Sequence, residues 1–348
     1  MYVTRIARQF RRHTNYLSMM LGSLGPARMV NLARTEYSRM LRKRESSGLP
    51  IFYILDITNR CPLKCPLCLT GSNNSKRRRG TMDLKFYLDI LDKIDSSALH
   101  VFLYNWGEPL LVDNIVDYIR PAKAKRISTS ISTNLNVRLD ENKARELVRS
   151  GMDRLVISCD GATQEIYEIG RRNGDIGTVF ANIKKIVDAK ADLGISNPSL
   201  EWQYLKNAYN EHQVEEARKL AHEMGVKNFT VGSVQLPYGF SSGEYNQWLP
   251  SDADFDYPNT PVIDRQFGYC QWLWRTMVIN WDGSVAPCGF VDDPCQDFGD
   301  LKTHTVQEIW NNELFQRARA AFSGGSASGL PCAVCGTYRF YKDKAKGA

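Results

Sequence analysis

From residue 51 onward, short apolar runs alternate with segments in which apolar residues recur every three or four positions. The runs predict strands over residues 51–57, 99–104, 127–132, 154–158, 199–205 and 228–232. The helical periodicity predicts helices over residues 84–94, 115–124, 141–150, 179–193 and 211–224. Strand followed by helix, repeated, means a parallel sheet with crossover helices, an α/β fold. Upstream, Val3, Ile6, Ala7, Phe10, Tyr16, Leu17 and Met20 lie at helical spacing, and after a breaker at residues 22–26 a second helix is predicted over 27–44. Between residues 235 and 268 the periodicity fails. That segment is rich in Pro, Gly, Asp and aromatics (Tyr238, Phe240, Tyr245, Trp248, Phe255, Tyr257), which predicts a lid or substrate-binding loop. Beyond it come a hairpin turning at Asp282-Gly283 and a helix over residues 306–322.

At 348 residues the chain holds one large domain and a smaller one. No apolar run reaches the length of a membrane span and the N-terminus lacks a signal-peptide core, so a cytoplasmic protein is expected. The net charge of +7 is uneven. Residues 1–44 carry ten Arg and Lys against Glu36 alone, a charge of +9, and the remainder is −2. The basicity therefore belongs to an N-terminal appendage, and nothing points to nucleic acid as a partner of the body. Two roles are open to this appendage: ordinary packing with a solvated basic face, or peripheral contact of residues 1–44 with an anionic membrane surface.

The nine cysteines change the picture most. Directly after the first predicted strand, "CPLKCPLC" places Cys61, Cys65 and Cys68 in a CxxxCxxC spacing. Thiolates suit zinc or iron–sulfur clusters. A structural zinc site wants four ligands, and no fourth Cys or His lies between Cys68 and His100. Three thiols on a four-iron cluster leave one iron open to substrate. Cys159, inside an apolar strand, reads as a small core residue.

This loop resembles the signature of the radical S-adenosylmethionine (radical SAM) superfamily. The resemblance implies a partial (β/α)6 TIM-like barrel over residues 50–234. It also implies that the open iron binds SAM and that the reduced cluster cleaves it to methionine and a 5′-deoxyadenosyl radical. Leu67 stands where the family usually has an aromatic residue beside the adenine. "YNWGEP" is similar to the family's GGEP motif, with Trp106 in place of the first glycine. Gly107, Glu108 and Pro109 match it, and by that resemblance this stretch holds the SAM amino group. Ser132, Asn134, Ser158 and Asp160, at the ends of the third and fourth strands, are implied around the ribose and carboxylate of SAM. As residues alone, they read equally well as capping and turn chemistry. In "YEIGRRNGD", Arg171 is chosen over Arg172 as the partner of the SAM carboxylate, which a guanidinium suits. Gln203, Lys206, Asn207 and Asn210 lie near the fifth strand's end as unranked contacts.

Cys270, Cys288, Cys332 and Cys335 form a second constellation, a hairpin followed by CxxC. Spacing alone leaves zinc and a four-iron cluster open. The layout, with "DG" ahead of Cys288 and a helix containing "EIW", resembles the SPASM or twitch domain that follows many radical SAM barrels and holds an auxiliary 4Fe–4S cluster. The division expected is a basic helical extension over 1–49, the barrel over 50–234, a lid over 235–268, the auxiliary domain over 269–340 and a basic tail over 341–348.

The function expected is hydrogen abstraction from an unactivated carbon of a sugar, lipid or lipid-linked substrate. Net oxidation would proceed through the auxiliary cluster, with electrons from an external donor such as flavodoxin or ferredoxin. Epimerisation with Cys295 as hydrogen donor is the alternative. Peptide maturation ranks lower on the shortness of residues 1–50, and a noncatalytic cluster scaffold is the rival from another class.

Overall fold

The computed structural model describes residues 21–234, 245–251 and 268–346. Six βα units build the barrel: β1 (Phe52–Leu55), α2 (Leu84–Ile94), β2 (His100–Phe102), α3 (Ile115–Ala124), β3 (Ser128–Thr133), α4 (Glu141–Arg149), β4 (Arg154–Ser158), α5 (Gln164–Gly170), α6 (Ile176–Leu193), β5 (Ser199–Lys206), α7 (Val214–Glu223) and β6 (Asn228–Ser233). They follow α1 (Pro26–Met40). The C-terminal part adds α8 (Trp272–Arg275), β7 (Thr276–Ile279), β8 (Ser284–Ala286), β9 (Gly299–Asp300), α9 (Val306–Trp310), α10 (Glu313–Ala320) and α11 (Gly336–Lys346).

All nine strands form one sheet in the order β6-β5-β4-β3-β2-β1-β7-β8-β9. It is parallel from β6 through to β7 and antiparallel beyond. The partial barrel of the sequence reading is present. The added strands do not form a separate layer, because β7 pairs directly with β1. The register separates two faces. Tyr53, Val101, Ile131, Leu155, Ile157 and Trp202 point outward into the main core shared with the helices. Inward-facing positions are largely polar: His100, Ser130, Ser132, Arg154, Ser158 and Glu201. Apolar outside and polar inside suits a barrel covered by helices and hollowed for a ligand.

Three expectations are corrected. The helix over residues 306–322 is two helices, because Asn312 accepts a hydrogen bond from the Phe315 amide (3.0 Å) and caps a new start. The basic tail over 341–348 is helix as far as Lys346, pinned where the Tyr338 and Tyr341 rings meet Phe322 at 5.6 and 5.4 Å. The basic extension, read as an appendage with packing or membrane contact open to it, packs on the body from residue 21 onward. Buried Arg28 donates to the carbonyls of Asp95, Lys125 and Arg126 and pairs with the Asp95 carboxylate at 2.8 Å. Arg39 holds Tyr269 and Gln271, and Glu36 receives Arg275 through two hydrogen bonds of 2.6 Å. The helix predicted over residues 1–21, and most of the aromatic segment, lie outside the described residues. Within that segment Trp248 is described and buried, with Tyr209 against it at 4.9 Å. Among the described residues no helix is long and apolar enough to cross a membrane.

The most buried charge in the auxiliary part is Arg319, which has no carboxylate partner among the described residues. Its guanidinium donates to the carbonyls of Leu273 (2.8 Å), Trp310 (2.7 Å) and Arg44 (3.1 Å) and lies 4.5 Å from the Trp310 ring. It joins the extension, α8 and α9. Arg319→Leu orphans those buried carbonyls and is expected to destabilise by about 3 kcal/mol. Differential scanning calorimetry should show a melting point lower by roughly 4 °C. Arg317→Leu, which loses one exposed hydrogen bond, should stay within about 1 °C.

Candidate active site

The three thiols of the first motif sit in the loop that leaves the C-terminal end of β1, where a barrel collects its chemistry. Burial pushes Cys61 up to about 12 and Cys65 up to about 11. The neighbouring Cys65 and Cys68 sulfurs add to the rise at Cys61, and Arg171 beside Cys65 pulls the other way. Asn134 Nδ2 stands 3.5 Å from Cys61 Sγ. Three half-buried thiols in one loop, with an N–H donor on one sulfur and a guanidinium beside another, are a donor set that a cationic iron–sulfur cluster satisfies.

Gly107 lies flush on this loop. A Cβ there would stand 1.9 Å from the Thr58 carbonyl oxygen, so only glycine lets the strand end reach the segment before Cys61. Glu108 follows and is fully buried. Its carboxylate accepts from Thr133 Oγ1 (2.7 Å), Asn134 N (2.7 Å) and Leu110 N (3.0 Å), while its own amide donates to Arg60 O at 2.8 Å. Burial raises it to about 7 against those donors. Glu108 thus fastens the second strand's end to the third, and the backbone of Asn105–Trp106 faces the site beside it. The Trp106 amide donates to Asp56 Oδ1 at 3.1 Å. Asp56 itself is fully buried, and burial raises it to about 7 despite its amide donors.

Asp160 and Arg171 are drawn together. Arg171 Nε donates to Asp160 Oδ2 at 2.6 Å, and Asp160 Oδ1 accepts the Leu205 amide at 2.7 Å. Burial works against the Arg171 charge, but the Asp160 carboxylate and the Cys65 sulfur beside it outweigh that and lift it above its ordinary value. Arg172 points out to solvent, and its carbonyl receives the Lys64 amide of the cluster loop at 2.8 Å. Ser132 and Ser158 share a hydrogen bond of 3.0 Å on the inner face. Leu67 is half-buried in the loop and Pro109 opens a short turn after the glutamate. Asn210 donates to the Asp160 and Leu205 carbonyls, so of the fifth-strand candidates it is a brace. Cys159 is fully buried, as read.

In the second constellation Cys332 is half-buried, and desolvation raises its thiol, with Cys288 and Cys335 close enough to raise it further. Cys270 opens the turn into α8, and the four thiols again fit a cluster by donor chemistry. A Cβ on Gly289, next to Cys288, would stand 3.0 Å from Asn105 Oδ1, so the auxiliary site abuts the segment that precedes Gly107. Cys295 is exposed on the turn Pro294–Gln296 and lines a surface cleft with Leu314, Leu330 and Pro331. Its turn is tied to the run after the thiol loop through Asp293, which accepts from Lys76 Nζ at 2.6 Å and from the Cys295 amide at 3.0 Å.

Sequence reasoning passed over Asp56, Thr133 and the run "SKRRRG". In that run Ser75 and Lys76 N bind Asp292 at 3.0 and 2.9 Å. Arg77 forks onto Asp297 at 2.8 and 2.9 Å, and Arg79 donates to the carbonyls of Asn59 and Thr70. The available signal was position, since three arginines directly follow the cluster loop and precede a glycine.

Family comparison agrees with the geometry. The radical SAM superfamily model matches residues 55–198 and the iron–sulfur cluster-binding SPASM domain model matches residues 270–336, together more than half of the chain. The PqqA peptide cyclase of Granulibacter bethesdensis is 28% identical over 312 residues, covering 82% of this chain and 79% of the relative. The tungsten-containing aldehyde ferredoxin oxidoreductase cofactor-modifying protein of Pyrococcus furiosus is 24% identical over 301 residues, covering 76% and 82%. In fold, the chain is similar to Streptococcus suis SuiB bound to precursor peptide SuiA, with a TM-score of 0.63, 14% identity, and coverage of 91% and 76%. The chain is an enzyme of the radical SAM superfamily with a C-terminal SPASM domain, and its cofactors are S-adenosylmethionine and 4Fe–4S clusters.

Proposed function

We propose that this enzyme abstracts hydrogen from an unactivated carbon of a peptide substrate, with net oxidation. The observation that carries the peptide reading is the relationship to PqqA peptide cyclases through both domains, 28% identical across 82% of the chain. A fold shared with an enzyme bound to its precursor peptide is consistent with it. These favour a peptide over the sugar or lipid expected from the sequence.

In this reading Cys61, Cys65 and Cys68 hold the cluster that, when reduced, supplies the electron for cleavage of S-adenosylmethionine. The carbonyls of Asn105 and Trp106 accept from its amino group, and Glu108 holds that segment in place through Thr133 and Asn134. Arg171 uses Nε on Asp160, which leaves its two Nη groups for the SAM carboxylate. Ser132, Ser158 and Asn134 face the ribose, and Leu67 covers the adenine. Cys270, Cys288, Cys332 and Cys335 hold the auxiliary cluster as the electron acceptor. The outward placement of Cys295 favours oxidation over quenching of a substrate radical by that thiol.

Anaerobically reconstituted enzyme should hold about eight irons, and replacing Cys61, Cys65 and Cys68 by Ala should leave about four and abolish deoxyadenosine formation. Retained SAM cleavage in that variant would refute the assignment. Gly107→Ala forces the loop away from Thr58. It should keep its iron yet raise the KM for SAM by roughly tenfold or more, whereas an unchanged KM would remove this segment from the site. For the substrate, cells are grown on deuterated amino acids and their extract is separated into peptide, carbohydrate and lipid fractions. Mass spectrometry of deoxyadenosine should show deuterium transferred from the peptide fraction alone. Transfer from a carbohydrate or lipid fraction, similarly labelled, would restore the earlier expectation.

A further inference from the structure

The helix α1 is inverted. A surface helix ordinarily turns its apolar stripe to the core and its polar face to water. Here the buried residues are Arg28, Thr35, Ser38 and Arg39. Solvent meets Met29, Val30, Tyr37, Met40 and, just past the helix, Leu41, with Met40 70% and Met29 57% exposed. Pro26 and Ala33 are exposed between them. At 100° per residue these positions fall within an arc of about 120°, along a row about 22 Å long. Half of the exposed large apolar side chains among the described residues belong to this one short stretch.

The polar inner face is locked. Asn31 exchanges hydrogen bonds with the Leu49 backbone (3.1 and 2.8 Å), and Thr35 donates to Leu49 O at 2.8 Å. Arg28 holds the segments that enter β2 and β3. The helix cannot roll its apolar side inward without orphaning these groups. These contacts also place α1 at the N-terminal end of the barrel strands, opposite the thiol loop.

We propose that this face docks on an anionic lipid surface, with α1 lying in the interface plane. Charge selects the occupant. Arg34 flanks the apolar arc and Arg44 follows it, both exposed and neither paired with a carboxylate among the described residues. Lys43 sits over the Tyr37 ring at 4.3 Å. The acid of this helix, Glu36, is turned inward onto Arg39 and Arg275. Residues 1–44 as a whole carry +9. A second copy would bring the same cations to the face, with the exposed Glu45 the one acid beside them, so like charges would outnumber opposite ones there. Anionic headgroups meet the cations while Met29, Val30 and Met40 enter the acyl boundary. The substrate mouth then faces away from the lipid.

The test uses the full chain with its clusters and flotation on two kinds of vesicle, one of equal phosphatidylglycerol and phosphatidylcholine, the other of phosphatidylcholine alone. The enzyme should float with the anionic vesicles, bind the neutral ones weakly, and release as salt rises. The double variant Val30→Asp, Met40→Asp should bind the anionic vesicles roughly tenfold or more weakly, with SAM cleavage unchanged because neither residue touches the site. This variant keeps every cation of residues 1–44. Undiminished flotation would therefore assign binding to the basic arm alone and overturn the docking face. Failure of the intact enzyme to float would overturn the proposal outright. So would a dimer in sedimentation that the same variant dissolves, since the face would then belong to a second copy.

Discussion

The Arg77 guanidinium holds the two cysteine-bearing halves in register. Its side chain is 1% exposed, with Nη2 donating to both oxygens of Asp297 and Nη1 to Ser284 Oγ at 2.6 Å, and with Asp282 at 3.6 Å. Burial pushes Asp297 up even with this cation beside it, so the pair is not a gift to stability. Its worth is directional: a planar fork fixes angle as well as distance, which an ammonium would not do. The residues on either side continue the clamp. The Arg78 carbonyl accepts from Trp281 Nε1 and Asn59 Nδ2, while a Cβ on Gly80 would stand 2.4 Å from the Trp281 ring. One six-residue stretch is thus bonded to the thiol loop on one side and to the hairpin of the auxiliary domain on the other.

The same economy runs through the SAM side. Each polar residue proposed there is already tied to a neighbouring strand: Glu108 to β3, Asp160 to β5, Ser132 to β4. A site built from side chains fixed before the ligand arrives loses little on binding, because their rotamers are already chosen. Glu108 and Asp56 lie in dry surroundings that raise both, and the donors around them, Thr133 Oγ1 and the Asn134 amide at one and the Trp106 amide at the other, pull the opposite way. The polar inner face of the barrel extends the arrangement downward, with Arg154 paired to Glu201 and the latter also accepting from Thr230 at 2.7 Å.

Strand and helix were legible where the period is strong. The helices over 84–94 and 115–124 were read to the residue, and the six barrel strands in order. The cysteine motifs were legible because spacing itself is the chemistry. What the sequence hid was phase and partner. Periodicity says that α1 has an apolar face but not which way it turns; the carbonyls of Asp95, Lys125 and Arg126, distant in sequence, decide that. Likewise "KRRRG" reads as a solvated charge run until Asp297, more than two hundred residues away, is placed beside Arg77. The split at Asn312 was a local cap of the kind sequence can show, and it was overlooked inside an apolar pattern that continued on both sides.

Strand β1 lies between β2 and β7, parallel to both, so the loop bearing Cys61 and the hairpin leading to Cys288 leave adjacent strands of one sheet. A sheet register cannot slip by one residue without turning every inward side chain outward. Ile54 and Val278, paired across β1 and β7, share a small buried cluster with Ala286 and Val291 that would be broken by such a slip. The separation of the two thiol sites is therefore set by backbone pairing and by the Arg77 clamp. An electron acceptor held at fixed distance from the radical site is what an oxidation requires, and a linker-tethered domain would not provide it. The auxiliary domain is in this sense a continuation of the barrel wall.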